Sequence, residues 1–226
     1  MALSGVMRPG IVQIRVLDMA EALVHYRDRL GLDLVETGGD GRAYLKSYDE
    51  FDHHSIVLRE AEEPGMDFMA FKVISEDVLD ELAAKLEAAG IETTKVAADE
   101  QPGIGRRISF TAPTGHRFDL YASADRSENG PMIDNPDLWR TEPRGMRPIR
   151  FDHCLLYGSD IDGTARIFTD ILGFSLTERA VTPDDQAIAI FLSCGMKAHD
   201  LALVRFETDN KLHHVSFLVE NWNDIG

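Results

Sequence analysis

Stretches of this chain repeat one another, and that self-similarity limits the fold more than any single segment does. YRDRLGLDLVE at 26–36 matches FTDILGFSLTE at 168–178, HSIVL at 54–58 matches HDLAL at 199–203, and FMAFKV at 68–73 matches HVSFLV at 214–219. A chain built this way folds as copies of one small unit, each covering its apolar face with a neighbour.

The content of the unit follows from its periodicity. IVQIRVL at 11–17 alternates as a strand, and Asp18 with Glu21 marks a helix start before Leu23, Tyr26 and Leu30, with Gly31 as the stop. Arg42 to Lys46 and Ser55 to Arg59 supply further strands, which makes the first unit βαβββ-like. The second runs from the strand at 67–73 to Ser75 as N-cap, the stripe Val78, Leu79, Leu82 and Leu86, and Gly90 at the stop. A hairpin turning at Pro113-Thr114-Gly115 within 104–121 completes it.

The third unit restates the first and the fourth begins like the second. The expected class is therefore α+β, with repeated βαβββ modules in two domains of paired modules. The first domain is 1–122. A linker follows at 123–148, rich in polar residues and carrying Pro131, Pro136, Pro143 and Pro148, with a short helix expected near Asp137 to Arg140. The second domain is 149–226. In the register that sets 68 on 214, Ser75 falls on Asn221, so the fourth module is expected to be incomplete and the chain a C-terminally truncated fragment.

Composition removes several classes of function. With 23 Lys+Arg against 39 Asp+Glu the net charge is −16, which is no nucleic-acid footprint. No window approaches the roughly 18 apolar residues of a membrane span, and the first twenty residues do not form a secretion signal. Cys154 and Cys194 form neither a zinc-type cluster nor a disulfide framework, so a reducing cytoplasm with both as thiols is expected.

Chemistry concentrates in the histidines. On the strand from Leu212, His214 shares a face with Leu212, Ser216 and Leu218, whereas His213 lies with Val215, Phe217 and Val219, the face expected against a helix. On the strand from Phe151, His153 lies with Phe151, Leu155 and Tyr157. Their equivalents in the first pair of modules are Gln13 and Phe68, so both imidazoles are additions at matching places of a repeat. Two such imidazoles need one carboxylate to complete the facial triad that holds non-heme Fe(II). Asp119 lies 51 residues after Phe68, which places its counterpart near position 265. The first cup, with Gln13 and Phe68 in place of histidines, is expected to bind no metal.

MRPGIVQIRVLDM, PGMDFMAFKV, RFDHCLLYGSD, KAHDLALV and LHHVSF closely resemble the extradiol catechol 2,3-dioxygenases of the vicinal oxygen chelate superfamily, and the resemblance runs over the whole chain. It implies the vicinal oxygen chelate, glyoxalase-like fold, an Fe(II) cofactor, catechol or a substituted catechol and O2 as reactants, and a homotetramer in the full-length parent. The His of FDH and the second His of LHHVSF, here His153 and His214, are then metal ligands, and the His of KAHD, here His199, is the catalytic acid/base. Cleavage beside the two hydroxylated carbons would give 2-hydroxymuconate semialdehyde. Residues 1–226 by themselves are expected to turn over little, for want of the third ligand.

Plainer readings stand beside these. His199 has a counterpart in His54, so a hydrogen-bonding role inherited by duplication is open. Phe191 and Leu155 read as core, Asp152 as an ordinary polar residue, His213 as no ligand, and His25, His53 and His116 as surface groups. A glyoxalase-like metal-dependent isomerase or epimerase, and a metal-free module that sequesters a small aromatic, are the competing functions.

Overall fold

The computed structural model describes residues 5–128 and 144–225. The α+β, repeated-module class is borne out. Contacts divide the chain into two units interleaved along the sequence. One takes Met1–Gly10, Phe68–Ser123 and His153–Val215, and the other takes Ile11–Asp67, Ala124–Asp152 and Ser216–Gly226.

The second of these units carries most of the first module. Strand β1 (Val6–Val16) pairs in parallel with β4 (Ile56–Glu60), which pairs antiparallel with β3 (Ala43–Lys46), and β3 with β2 (Asp33–Thr37). Between β1 and β2, helix α1 (Met19–Leu23) starts where Asp18 Oδ1 accepts the Glu21 amide at 2.9 Å. The helix continues over Val24–Arg29 as a wider π turn, in which the Leu30 amide reaches back five residues to the His25 carbonyl. Gly31, at φ +88°, ends it as the sequence indicates.

The other unit holds the second module and nearly all of the third. Strands β5 (Gly65–Val73), β6 (Thr93–Val96), β7 (Arg107–Thr111) and β8 (Arg117–Tyr121) lie in the order β5-β8-β7-β6, with β5 and β8 parallel. Helix α2 (Glu76–Ala88) starts at Ser75, whose hydroxyl accepts the Val78 amide, and buries Leu79, Leu82, Ala83 and Leu86. In the third module, β9 (Arg150–Gly158), β10 (Ser175–Val181), β11 (Ala187–Ser193), β12 (Leu201–Arg205) and the opening strand of the fourth, β13 (Lys211–Leu218), take the order β10-β11-β12-β9-β13. Helix α3 (Ile161–Arg166) again runs into a π turn, Ile167–Ile171, and the Leu172 amide reaches the Ile167 carbonyl.

The repeat extends to such irregularities. The pairing of β2 with β3 slips between Leu34 and Glu36, and that of β10 with β11 slips between Leu176 and Glu178. In the register of the two matched segments these are the same places. Phe71, Phe110, Phe118, Phe168 and Phe174 form the aromatic centre of the first unit, with Phe168 4.9 Å from both Phe118 and Phe174. Full burial of each such ring contributes about 1.5–3 kcal/mol.

Two local readings change. Strand β1 begins at Val6 rather than 11, running through Pro9 and Gly10. A Cβ on Gly10 would sit 2.2 Å from the Tyr121 hydroxyl, so the glycine marks a close approach rather than a break. Strand β6 lacks the alternation that reveals a strand because it is short and largely exposed. The short helix expected near Asp137 to Arg140 lies outside the described residues. Asn221 does occupy the capping position foreseen for it: its side chain accepts the Asn223 amide, and the Asp224 carboxylate accepts the Asn221 amide.

Candidate metal and acid-base site

Strand order decides which histidines meet. β9 and β13 are neighbours, so His153 and His214 project from adjacent strands of one sheet. Their Nε2 atoms are 3.3 Å apart and their rings 5.4 Å apart at 73°. Both side chains are half-buried. The His199 ring stands edge-on to His153 at 4.2 Å and to Phe191 at 5.1 Å. The three residues singled out in FDH, KAHD and LHHVSF thus gather at one place.

Two imidazole nitrogens each about 2.1 Å from one ion, at a right angle to each other, lie about 3 Å apart. The observed separation suits such a pair, and neutral imidazole is a donor that Fe(II), Mn(II) and Zn(II) accept. Protonation is disfavoured at His214: burial, then the neighbouring His153, His213 and His199, hold its pKa below the usual histidine value. That keeps a lone pair available for a cation. Among the described residues no group of three or more His, Cys, Asp or Glu side chains converges as a metal site. The pair offers two ligands.

The loop that presents His199 is pinned by a carboxylate that sequence reasoning passed over. Asp200 is buried, and its Oδ2 accepts the Cys194 amide at 2.8 Å, the Ser193 hydroxyl at 3.0 Å and the Cys194 thiol at 3.3 Å, while Lys197 Nζ lies 3.1 Å from Oδ1. In the first module Glu50 does this work: its Oε2 accepts the Ser47 amide at 2.8 Å and the Ser55 hydroxyl at 2.5 Å. The acid sits at different loop positions in the two copies, which hides it from a register match.

Positions equivalent to the two histidines are closed in the earlier modules. Phe68 carries the guanidinium groups of Arg107 and Arg117 over its ring at 5.3 and 5.0 Å. Both arginines bond the fully buried Asp119, Arg107 through Nε at 2.9 Å and Arg117 through Nη2 at 3.0 Å. Gln13 donates to Asp67 at 2.6 Å, an acid that Arg59 also holds. Side-chain cations of the chain itself satisfy these carboxylates.

Several readings of individual residues need correction. His116 is not a surface group: it is fully buried, its Nε2–H donating to the Lys211 carbonyl and its Nδ1 accepting the Thr114 hydroxyl. Burial pulls its pKa down to about 4. His53 is only half-buried, with Nδ1 3.0 Å from His54 Nδ1, whereas His25 is exposed as expected. Phe191 and Leu155 are half-buried rather than core. The face of His213 is not the covered one, because His213 is exposed and Val215 only half-buried. No helix among the described residues is long and apolar enough to cross a membrane.

Comparison with known proteins agrees with this architecture. Residues 66–125 match the family model of the catechol 2,3-dioxygenase-like N-terminal domain, and residues 150–226 that of the glyoxalase/bleomycin resistance protein/dioxygenase superfamily. The metapyrocatechase of Pseudomonas sp. (strain CF600) is 47% identical over 222 residues, which are 98% of this chain and 72% of that protein. The crystal structure of the 2,3-dioxygenase LapB from Pseudomonas sp. KL28 superposes with a TM-score of 0.94 at 44% identity, covering 99% of this chain and 78% of that one. A manganese-dependent 2,3-dihydroxybiphenyl 1,2-dioxygenase of Geobacillus genomosp. 3 is 23% identical over 221 residues, 96% of this chain and 70% of that protein. Fold and site thus define the class, a glyoxalase/dioxygenase-superfamily protein of vicinal oxygen chelate architecture. Within that class the chain belongs to the metapyrocatechase, or catechol 2,3-dioxygenase, family of extradiol dioxygenases.

Proposed function

We propose that this protein cleaves catechol beside its two hydroxyl-bearing carbons, consuming O2 and giving 2-hydroxymuconate semialdehyde, in the breakdown of aromatic compounds. We assign Fe(II) as the cofactor, held by His153 and His214, and His199 as the acid/base. The observation that carries this reading is the 3.3 Å approach of the two Nε2 atoms beside the His199 ring. A metal cofactor accords with the family, whose members include a manganese-dependent enzyme; the ferrous ion is the finer assignment.

Held by His153 and His214, Fe(II) would supply the Lewis acidity that binds the diol and the one-electron chemistry that lets O2 react with the ring. The residues do the remainder. His153 and His214 hold their lone pairs on one point. His199, beside His153, takes a phenolic proton as the diol docks and returns one as the ring opens, worth roughly 10²–10⁴-fold in rate. Phe191 backs the His199 ring and limits its rotation.

The test is metal content together with oxygen uptake on adding catechol, measured on the protein that carries this chain. Iron retained with stoichiometric uptake supports the dioxygenase. Metal without uptake would point to an isomerase, and neither to a binding module.

A further inference from the structure

Strand alternation separates the exposed His213 from His214, because adjacent residues of a strand point to opposite faces. The His213 ring nevertheless turns back. His213 and His214 have ring centroids 4.9 Å apart at 72°, and their Nδ1 atoms meet at 2.7 Å. The other nitrogen of His214 is the one that faces His153. Tyr157 stands edge-on to the His213 ring at 5.0 Å and 86°, which fixes its tilt.

Each nitrogen of His214 thus has one partner, and only one proton arrangement suits a ligand. If Nε2 is to offer a lone pair, the proton of the neutral ring must sit on Nδ1, and a group must accept it there. The Nδ1 lone pair of His213 is the acceptor within reach, which puts His213's own proton on Nε2. Partners of this kind orient a ligating imidazole and raise its basicity, and removing one typically weakens metal binding 10–100-fold.

We propose that His213 is a positioning residue for the metal site, an imidazole acceptor that fixes the tautomer and the aim of His214. This rests on the reading of His214 as a ligand. It makes the two histidines of LHHVSF one unit, the second to hold the cation and the first to orient the second. The arrangement differs from the usual carboxylate or carbonyl partner.

Two measurements test it. In long-range proton–nitrogen NMR spectra of the metal-free protein, His214 is expected as the Nδ1–H tautomer and His213 as the Nε2–H tautomer; His214 protonated on Nε2 alone would overturn the proposal. In anaerobic Fe(II) titrations, H213F is expected to bind about 10–100-fold more weakly than the unaltered protein. H213N, whose side-chain oxygen can accept the same proton, is expected to recover most of the loss, with melting temperatures unchanged. Unaltered Fe(II) affinity in H213F, while H214A loses the metal, would refute the role of His213 and leave the ligand assignment standing. Unaltered affinity in H214A would remove the ligand assignment, and with it this proposal.

Discussion

His153 on β9 and His214 on β13 bring their Nε2 atoms to 3.3 Å across neighbouring strands, although 61 positions separate them in the chain. Removing either ring leaves a single nitrogen at the site. His153→Ala and His214→Ala are each expected to lower Fe(II) affinity by more than about 100-fold, beyond the usual effect of an outer partner. Metal analysis after gel filtration, with circular dichroism to verify the fold, measures it. Wild-type iron content in either variant would count against the pair.

His199 touches His153 and Phe191 but is assigned no place on the metal. His199→Asn is therefore expected to keep its iron while kcat falls roughly 10²–10⁴-fold, the range of a positioned proton donor or acceptor. Steady-state kinetics alongside iron analysis separates this from ligand loss, which would remove both together.

Asp200 satisfies three buried or half-buried donors and faces Lys197. Asp200→Ala leaves the Cys194 amide and the Ser193 hydroxyl without that acceptor, at a cost of about 2–4 kcal/mol. Urea denaturation reads the loss directly. Since the same carboxylate pins the His199 loop, kcat is expected to fall more than KM rises.

The buried His116 makes stability depend on pH. Its folded pKa, about 4, lies below the ordinary value of 6.5, so the unfolded chain takes the proton more readily. Its contribution is intact above about pH 6.5, declines as pH falls toward 4, and amounts in full to on the order of 3 kcal/mol. Unfolding free energies between pH 7.5 and 4.5 are expected to show this slope, and His116→Gln to flatten it. An unchanged slope in the variant would exclude His116 as its source.

Arg107 and Asp119 form a pair buried almost completely, with Arg117 as a second cation. Arg107→Met is expected to cost about 3–5 kcal/mol, since an acid in the interior loses a partner. The double replacement Arg107→Met with Asp119→Leu is expected to recover much of that. A thermal-unfolding cycle over the four proteins gives the coupling.

Much of this was legible in the sequence because it depends on register. His153 and His214 stood at equivalent places of a duplicated unit, and the fold brings equivalent places together. The caps at Asp18, Ser75 and Asn221 were readable because they depend on one side chain and an amide two or three residues ahead. What escaped depends on how side chains tilt and on what packs over them. His116 reads as a loop histidine beside the Pro113-Thr114-Gly115 turn, but it is buried and its Nε2 meets the carbonyl of Lys211, 95 positions away, which no local pattern announces. The inward turn of His213 breaks strand alternation, which a period-two pattern has no means of announcing.

The widened turns at Val24–Arg29 and Ile167–Ile171, together with the slipped pairings at Leu34/Glu36 and Leu176/Glu178, give the molecule a history. Modules one and three share both defects, whereas module two carries a regular helix, Glu76–Ala88, at the corresponding place. An inserted residue that two copies hold in common entered their ancestor before it was copied. The half-length ancestor therefore already contained two dissimilar modules when it doubled, and the side chains now at Gln13 and Phe68 in one half and at His153 and His214 in the other diverged after that event.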